Sequence, residues 1–201
     1  MTTLTRRFYT RPDVVQIARD LLGKQIFTRI DGIITSGIIC DTEAYAGTTD
    51  RASHACGGRR TGRTEVMYAL GGTAYVYLCY GMHSLFNIVT NLQDIPHAVL
   101  IRGIVPVDGI DVMLSRSGKV KLTKDSGIGP GKVSKLLGIH YSHSGLDLVT
   151  NKENRMAPAI WIEDKEIKID SGKILTGPRI GVEYAGEDAL LPYRFSVASL
   201  R

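Results

Sequence analysis

The sequence predicts an α+β fold built on a largely antiparallel β-sheet. Short runs rich in β-branched residues recur along the chain between glycine-containing turns, whereas few segments show helical periodicity. The 201 residues include 22 glycines, more than average usage, and suffice for one sizeable core. We therefore predict a single domain over residues 1–201, with a mixed, largely antiparallel curved sheet, flanking helices and a protruding β-hairpin.

The first fifth of the chain predicts a helix followed by a hairpin. Apolar residues after Asp13 follow helical spacing, and the Pro-Asp dipeptide before them is typical of a helix start. The runs 25–30 and 33–40 are rich in β-branched residues and flank Asp31-Gly32, a dipeptide typical of hairpin turns. The second run leads directly into a pair of acids.

The rest of the chain predicts a loop, an aromatic hairpin and shorter elements. Residues 46–64 are rich in glycine and arginine and predict an ordered loop. Residues 74–91 predict a strand, a turn at Gly81 and a returning strand, and 98–105 predict another strand. A short helix is expected over 133–137. Further short strands are expected at 160–162, 167–169 and 181–184.

Composition limits the classes of function. Lys and Arg number 25 against 20 Asp and Glu, and this net charge of +5 mildly favours polyanionic partners. No run of about 18 apolar residues occurs, so we expect no membrane segment and a cytoplasmic protein. The three cysteines include no C-x-x-C pair, so we expect neither a metal site nor a disulfide framework.

Asp41 and Glu43 are the first candidates for chemistry. On a strand they project to the same face about 6–7 Å apart, and paired acids at such distances hydrolyse glycosidic bonds. A solvated strand end is the alternative interpretation. Apolar neighbours on both sides favour burial of Glu43, and a buried acid has a perturbed pKa that suits a general base.

Other polar motifs allow two interpretations each. His54 is either a structural hydrogen-bonding residue or a catalyst. Arg59, Thr61 and Arg63 form either a phosphate-binding loop or a solvated one. The glycine-rich segment that ends at Lys132 departs from the Walker pattern, so nucleotide hydrolysis is not expected. Lys132 still lies at a predicted helix N-terminus, where a DNA phosphate can bind.

Aromatic rings cluster along the predicted hairpin. Tyr75 and Tyr77 share one strand face, and Tyr80 lies beside Gly81, where a turn exposes it. An exposed ring on a turn, a buried acid and further stacking rings together indicate a protein that opens duplex nucleic acid.

Several motifs occur in a specific order along the chain. They are 41–47 with its Thr-Glu-Ala-Tyr core, 52–54, 57–59, 72–82, Asn87, 101–102, 129–132 and 179–186. Together they resemble the alkyladenine (3-methyladenine) DNA glycosylases of the single-domain bacterial and mammalian type, over about residues 10–196. Asp41 stands where that family often has glutamate, and His83 where another aromatic is common. These departures leave the lesion range open.

The resemblance implies a base-excision enzyme that acts on double-stranded DNA. Such an enzyme flips alkylated or deaminated purines, of the 3-methyladenine, 7-methylguanine and hypoxanthine class, and hydrolyses the N-glycosidic bond. It implies that Glu43 is the general base that activates water and that Arg102 positions this water and the nucleotide. We expect a monofunctional, monomeric, nucleoid-associated bacterial enzyme without a cofactor. No dedicated general acid is evident, and Asp41 is a weak candidate.

The resemblance also assigns a base pocket. Tyr45 and His54 are expected to stack on one face of the flipped base and Tyr77 on the other. Backbone groups near Ala52 and His54 would contact the purine edge. Asn87 would crowd the exocyclic amine of normal guanine and so act as a sieve.

A wedge completes these assignments. Tyr80 would enter the minor groove and fill the gap left by the flipped nucleotide, with Met82 packed nearby. Two alternatives remain: a non-catalytic nucleic-acid-binding module of the same fold, and a small-molecule nucleoside hydrolase that uses Asp41 and Glu43. The presence of Glu43 argues against the first, and an exposed Tyr80 argues against the second.

Overall fold

A computed structural model describes residues 2–150 and 156–200. Within them one sheet contains the strands β1 (Thr2–Thr3), β2 (Gln25–Ile30), β3 (Ile33–Tyr45), β4 (Ala74–Cys79), β5 (His83–Thr90), β6 (His97–Pro106), β7 (Ala159–Asp164), β8 (Leu175–Gly177) and β9 (Arg194–Ser196). The helices are α1 (Arg6–Tyr9), α2 (Val14–Asp20), α3 (Ile110–Ser117) and α4 (Pro130–Leu137). Every strand pairing described is antiparallel, and the α+β prediction is confirmed.

The strand β3 organises the sheet. The main order is β1-β7-β2-β3-β6-β5-β4, with β9 paired to β3 and β8 to β9. The β2–β3 hairpin turns at Asp31 and Gly32, whose φ angles of 54° and 75° suit a two-residue hairpin loop. Because β3 is 13 residues long, it pairs with β2 at its start and with β9 at its end, where Glu43 lies opposite Arg194. The end of β3 is therefore enclosed between β6 and β9.

Helices pack on one face of the sheet, and the loop between β3 and β4 packs on the other. The helices α2 and α4 pack on one face, where apolar side chains such as Ile17 and Val133 join the main core with Val76 and Ile88 from the strands. The alternate residues of β4–β6 point the other way and form a second core with the loop between β3 and β4. This loop covers the face on which the polar site lies.

The β4–β5 hairpin confirms the predicted protrusion. Its last strand pair is Cys79 with His83, and the N–H of Met82 donates to the Cys79 carbonyl across the turn. Tyr80 and Met82 are 89% and 74% exposed, so the hairpin ends in two apolar side chains held in solvent.

Two predicted short strands are wrong. Residues 167–169 form no strand; Ile169 instead fills the space beside Gly23, its side chain only 2.8 Å from where a Cβ on Gly23 would lie. Residues 181–184 lead into a 3₁₀ segment, Glu183–Leu190, because this stretch crosses the site instead of joining the sheet. In the described residues, no helix is long and apolar enough to cross a membrane.

Candidate active site

A cavity of about 440 Å³ lies between the β4–β5 hairpin, the loop after β3 and residues 180–184. Most of the predicted site residues line this one cavity, which brings together parts of the chain far apart in sequence. They are Tyr45, Ala52, His54, Arg63, Tyr77, Tyr80, Asn87 and Arg102. Glu43 lies immediately behind the wall, in contact with Tyr45, Arg102 and Ile180, all of which line the cavity.

The Glu43 carboxylate is fully buried and surrounded by hydrogen-bond donors. The Tyr45 hydroxyl donates to Oε2 and the backbone N–H of Ile180 donates to Oε1, both at 2.8 Å. The Arg102 guanidinium lies farther away, with Nη1 3.4 Å from Oε2 and Nε 3.4 Å from Oε1. The solvated strand end considered from sequence is thereby excluded for Glu43.

Burial raises the pKa of Glu43 above its usual 4.5. Arg102, the Ile180 N–H and the Tyr45 hydroxyl act in the opposite direction, and the negative charge of Asp41 adds to the increase. A carboxylate with a raised pKa is a stronger base than an exposed one, and the three donors favour its ionised form.

The pairing of β3 with β6 places Arg102 beside this carboxylate and contains two bulges. Ile39 pairs with Ile104, Asp41 with Gly103, and Thr42 with Ile101, so Cys40 and Arg102 are extra residues on β3 and β6 respectively. Arg102 lies on the same face of β6 as Ala98 and Leu100, which also line the cavity. The bulges change the register beyond it, where Gly103 and Ile104 pair with Asp41 and Ile39.

Asp41 forms an ion pair with a different arginine, Arg194. Arg194 on β9 donates through Nε to Oδ1 at 3.1 Å and through Nη2 to Oδ2 at 2.7 Å. Asp41 is buried and is not among the described residues that line the cavity. This geometry gives Asp41 a structural role and leaves it poorly placed as a general acid.

Three aromatic rings form one wall of the cavity. The His54 and Tyr77 ring centres are 4.7 Å apart and nearly perpendicular, and the Tyr75 and Tyr77 centres are 5.5 Å apart. A flat base between two rings needs them about 7 Å apart, since each stacking contact takes about 3.5 Å. His54 and Tyr77 are therefore neighbours on the same side, which does not fit the expectation that they stack on opposite faces.

His54 is held as a neutral imidazole. Burial, with smaller contributions from the positive charges of Arg63 and Arg59, lowers its pKa from 6.5 to about 4. Arg63 Nη2 lies 3.4 Å from Nε2, and a guanidinium can only donate, so Nε2 is the acceptor. Nδ1 then carries the proton and donates to the Tyr75 hydroxyl at 2.9 Å.

Asn87 and Ala52 have fixed positions in the wall. The Asn87 Nδ2 group donates to the backbone carbonyls of Tyr75 and Leu85 at 3.1 and 3.2 Å, which sets the orientation of the buried amide. The Ala52 N–H donates to Asp50, and its carbonyl accepts from the Tyr184 hydroxyl at 3.1 Å. Both residues therefore present defined groups to anything that enters the cavity.

The wedge candidate has an unusual backbone. Tyr80 has φ of 51° and Gly81 has φ of 68°, and a bulky side chain rarely adopts such a conformation. Strain of this kind persists where the surroundings or a function require it. The turn presents the Tyr80 ring to solvent, with Met82 beside it and outside the cavity.

The predicted phosphate-binding residues lie around the cavity mouth and the hairpin base. Arg59, Thr61 and Arg63 are exposed on the loop after β3, and the Arg63 guanidinium carbon lies 4.9 Å above the Tyr77 ring. Lys132 is exposed in the first turn of α4, and the adjacent Gly131 packs against His83, at the base of the hairpin. The structure brings Arg63 into the cavity itself.

Sequence reasoning missed three contributors: Tyr75 as the partner of His54, Ile180 as a donor to Glu43, and Tyr184 at the mouth. Ile180 acts through its backbone N–H, so no side-chain pattern could reveal it. Tyr75 could have been found, because it shares a strand face with Tyr77. Within residues 2–150 and 156–200, no group of three His, Cys, Asp or Glu side chains is arranged to hold a metal ion.

Comparisons with known proteins agree with this geometry. Residues 7–201 match the family model described as methylpurine-DNA glycosylase (MPG). A protein of Chlamydia felis is 45% identical over 197 residues, covering 96% of this chain and 94% of the relative. A protein of Bacillus cereus (strain ATCC 14579) is 43% identical over 189 residues, covering 91% and 90%. Both bear the name "Putative 3-methyladenine DNA glycosylase". The chain therefore belongs to the methylpurine-DNA glycosylase family.

Proposed function

We propose that this protein is a monofunctional DNA glycosylase of base excision repair that removes alkylated or deaminated purines from double-stranded DNA. One observation carries the proposal: a buried carboxylate with a raised pKa lies directly behind an aromatic cavity large enough for a base. The family and the names of the relatives support activity on 3-methyladenine.

The flipped base lies between Tyr45 on one side and the His54–Tyr77 pair on the other. A base that stacks on a ring gains about 1–3 kcal/mol, which helps to offset unpairing. Alkylated purines such as 3-methyladenine and 7-methylguanine are cationic, and electron-rich ring faces attract cations. The low pKa of His54 supports this arrangement, because a neutral imidazole does not repel a cationic base.

The purine edge meets Ala52 and Asn87. The Ala52 carbonyl accepts from the Tyr184 hydroxyl and has a second lone pair for a donor on the base. Asn87 is buried and its amide orientation is fixed, so it crowds any group that projects from the purine at that point. Asn87 would therefore exclude normal guanine from the cavity if the exocyclic amine of guanine points at it.

Glu43 accepts a proton from the attacking water, and Arg102 helps to hold this water and the nucleotide. The water must reach the carboxylate from the side of Arg102, because this contact is the loosest and Arg102 lines the cavity. Hydrolysis then releases the base and leaves an abasic site. No lysine is found among the described residues that line the cavity, which supports a monofunctional reaction without a Schiff base.

Departure of the base needs no general acid when the purine is cationic. Asp41 is engaged by Arg194, and His54 is neutral near pH 7, so neither is suited to protonate a leaving base. Neutral lesions such as hypoxanthine leave less readily. We therefore expect faster release of cationic than of neutral purines.

DNA is held by a wedge and by basic residues. Tyr80 enters the space left by the flipped nucleotide and Met82 packs against a neighbouring base pair. Arg59 and Thr61, exposed on the loop after β3, and Lys132, exposed on α4, contact phosphates. A single protein molecule then holds the duplex by the wedge and by these phosphate contacts.

The experiment is base release from a duplex with one 3-methyladenine analogue, 7-methylguanine or hypoxanthine, compared with Glu43→Gln. Wild type should yield alkali-sensitive sites, and the variant should bind the lesion without releasing it. All of the groups that contact Glu43 are hydrogen-bond donors, so the NH₂ group of the glutamine would face one of these donors. We expect this mismatch to lower the free energy of unfolding by about 1–3 kcal/mol. A melting curve must therefore accompany the assay.

The outcomes separate the alternatives. Binding without release by wild type on all of these lesions would indicate a binding module of the same fold. Release from free nucleosides but not from duplexes would indicate a small-molecule hydrolase. Equal loss of binding and release in the folded variant contradicts the role of Glu43 as the base.

A further inference from the structure

A buried ion pair lies behind the cavity and is not used in the reaction described above. The guanidinium of Arg179 donates to both carboxylate oxygens of Asp50, at 2.5 Å to Oδ2 and 2.9 Å to Oδ1. Both side chains are buried, and neither residue is among the described residues that line the cavity. The pair thus cannot touch a substrate, yet it lies one residue away from a donor to Glu43.

Arg179 ties together three separate segments. Besides Asp50 it donates to the backbone carbonyl of Ala44 at 2.9 Å and to that of Asp188 at 3.0 Å. Its guanidinium carbon lies 4.9 Å from the Tyr45 ring centre and 5.3 Å from that of Tyr193. Such a planar cation fixes the ring it covers as well as its hydrogen-bond partners.

Asp50 also fixes the loop to which it belongs. Its carboxylate accepts the backbone N–H of Ala46 and that of Ala52, each at 2.9 Å. Ala52 lines the cavity, so the same carboxylate that anchors Arg179 also sets the position of the wall that faces the purine edge.

Two of the three donors to Glu43 depend on this pair. Ile180 follows Arg179 in the chain, so anchoring the Arg179 side chain fixes the backbone N–H that donates to Oε1. Tyr45 donates to Oε2 and carries the Arg179 guanidinium over its ring. Arg102 reaches Glu43 independently from β6.

We propose that Arg179 and Asp50 are a positioning pair for base excision: they hold the Ile180 N–H and the Tyr45 hydroxyl on the carboxylate of Glu43. The inference rests on the proposed role of Glu43 as the base. A lysine in place of Arg179 keeps the charge but lacks the planar fork that makes four hydrogen bonds from two nitrogens. Charge alone is therefore insufficient for this role.

The test compares Asp50→Asn and Arg179→Lys with a matched control, Asp147→Asn. Asp147 also pairs with an arginine, Arg6, and also accepts two backbone N–H groups, but it is not among the residues that line the cavity. Each variant is assayed below its own melting temperature. The readouts are the single-turnover rate of 7-methylguanine release, the affinity for a duplex with an abasic-site analogue, and the pH dependence of the rate.

Both site variants should release the base about 10- to 100-fold more slowly, with a smaller change in affinity, because sub-ångström misplacement of a reacting group is costly. The charged and titratable groups that face Glu43 are Arg102, Asp41, Arg194, Tyr45 and Arg179. Loss of the two donor contacts raises the pKa of Glu43 further, so the fall in rate at acidic pH should begin at a higher pH. Asp147→Asn should leave the rate and the pH profile unchanged even where it lowers the melting temperature.

The inference is overturned if both site variants release the base at the wild-type rate. It is also overturned if the rates fall in all three variants in proportion to their loss of melting temperature. A third result that overturns it is an Arg179→Lys variant that keeps the wild-type rate and pH profile. Should Asp50→Asn not fold, Arg179→Lys alone decides by the same criteria. Absence of release by wild type is a different result, which refutes the proposed function instead.

Discussion

Replacement of the Tyr80 ring tests the wedge directly. The side chain is 89% exposed, so Tyr80→Ser removes almost no packing in the free protein. A ring that stacks on a base contributes about 1–3 kcal/mol, and 1.4 kcal/mol is a factor of ten in affinity. We therefore expect the affinity for a lesion duplex to fall about 5- to 150-fold without a lower melting temperature. Tyr80→Gly should bind equally weakly and be at least as stable, because glycine adopts the φ of 51° without strain.

The assay is equilibrium binding to a hypoxanthine duplex, with a fluorescent base analogue beside the lesion to report flipping. Both Tyr80 variants should lose the flipped signal together with the affinity. Leu175→Ala is the control, since Leu175 is also apolar and 60% exposed but lies on β8, outside the cavity. Unchanged affinity and flipping in Tyr80→Ser, or an equal loss in Leu175→Ala, refutes the assignment of the wedge.

Two further predictions concern the electrostatics of the cavity. Tyr45→Phe removes a hydrogen bond that lowers the pKa of Glu43, so the acid limb of the rate against pH should move to higher pH; an unmoved limb would show that the hydroxyl does not hold the base. Arg63→Ala removes a cation that lies 4.9 Å from the Tyr77 ring centre, where like charges at about 5 Å repel by roughly 1 kcal/mol in water. Release or binding of cationic 7-methylguanine should therefore improve about fivefold relative to neutral hypoxanthine, and an equal change for both lesions contradicts this placement.

Local signals explain why much of the fold could be predicted. The Asp31-Gly32 turn and the Tyr80-Gly81 turn each follow a run of β-branched or aromatic residues, so turn chemistry and periodicity agree. The helix α2 likewise begins where Asp13 accepts the N–H of Gln16. Segments such as 181–184 have the composition of a strand, but a tertiary contact decides their conformation.

The candidate site was predicted residue by residue but not in its arrangement. Strand alternation places Tyr75 and Tyr77 together, yet nothing local indicates that His54, from a loop, packs beside Tyr77. The contact between Arg102 and Glu43 likewise depends on the pairing of β6 with β3, which neither strand's own sequence reveals. Contacts made by backbone groups, such as the Ile180 N–H, leave no trace in residue identity.

The two acids at the end of β3 show how one strand can carry a structural and a reactive carboxylate. Each receives an arginine from a neighbouring strand, Asp41 from β9 and Glu43 from β6. Arg194 meets Asp41 in a forked contact at 2.7 and 3.1 Å, which occupies both oxygens. At Glu43 the arginine stays at 3.4 Å, and the two short contacts come from a hydroxyl and an amide that approach from other directions.

This difference in geometry bears on reactivity. A tight bidentate arginine occupies both oxygens of the acid and leaves no room for water. A looser arginine keeps positive charge near the carboxylate and leaves one side on which a water can donate its hydrogen bond. β3 exchanges β2 for β9 before Asp41, and although Arg194 lies opposite Glu43 in this pairing, its guanidinium donates to Asp41, so Glu43 keeps the looser contact to Arg102. The change of strand partner along β3 therefore separates the two roles.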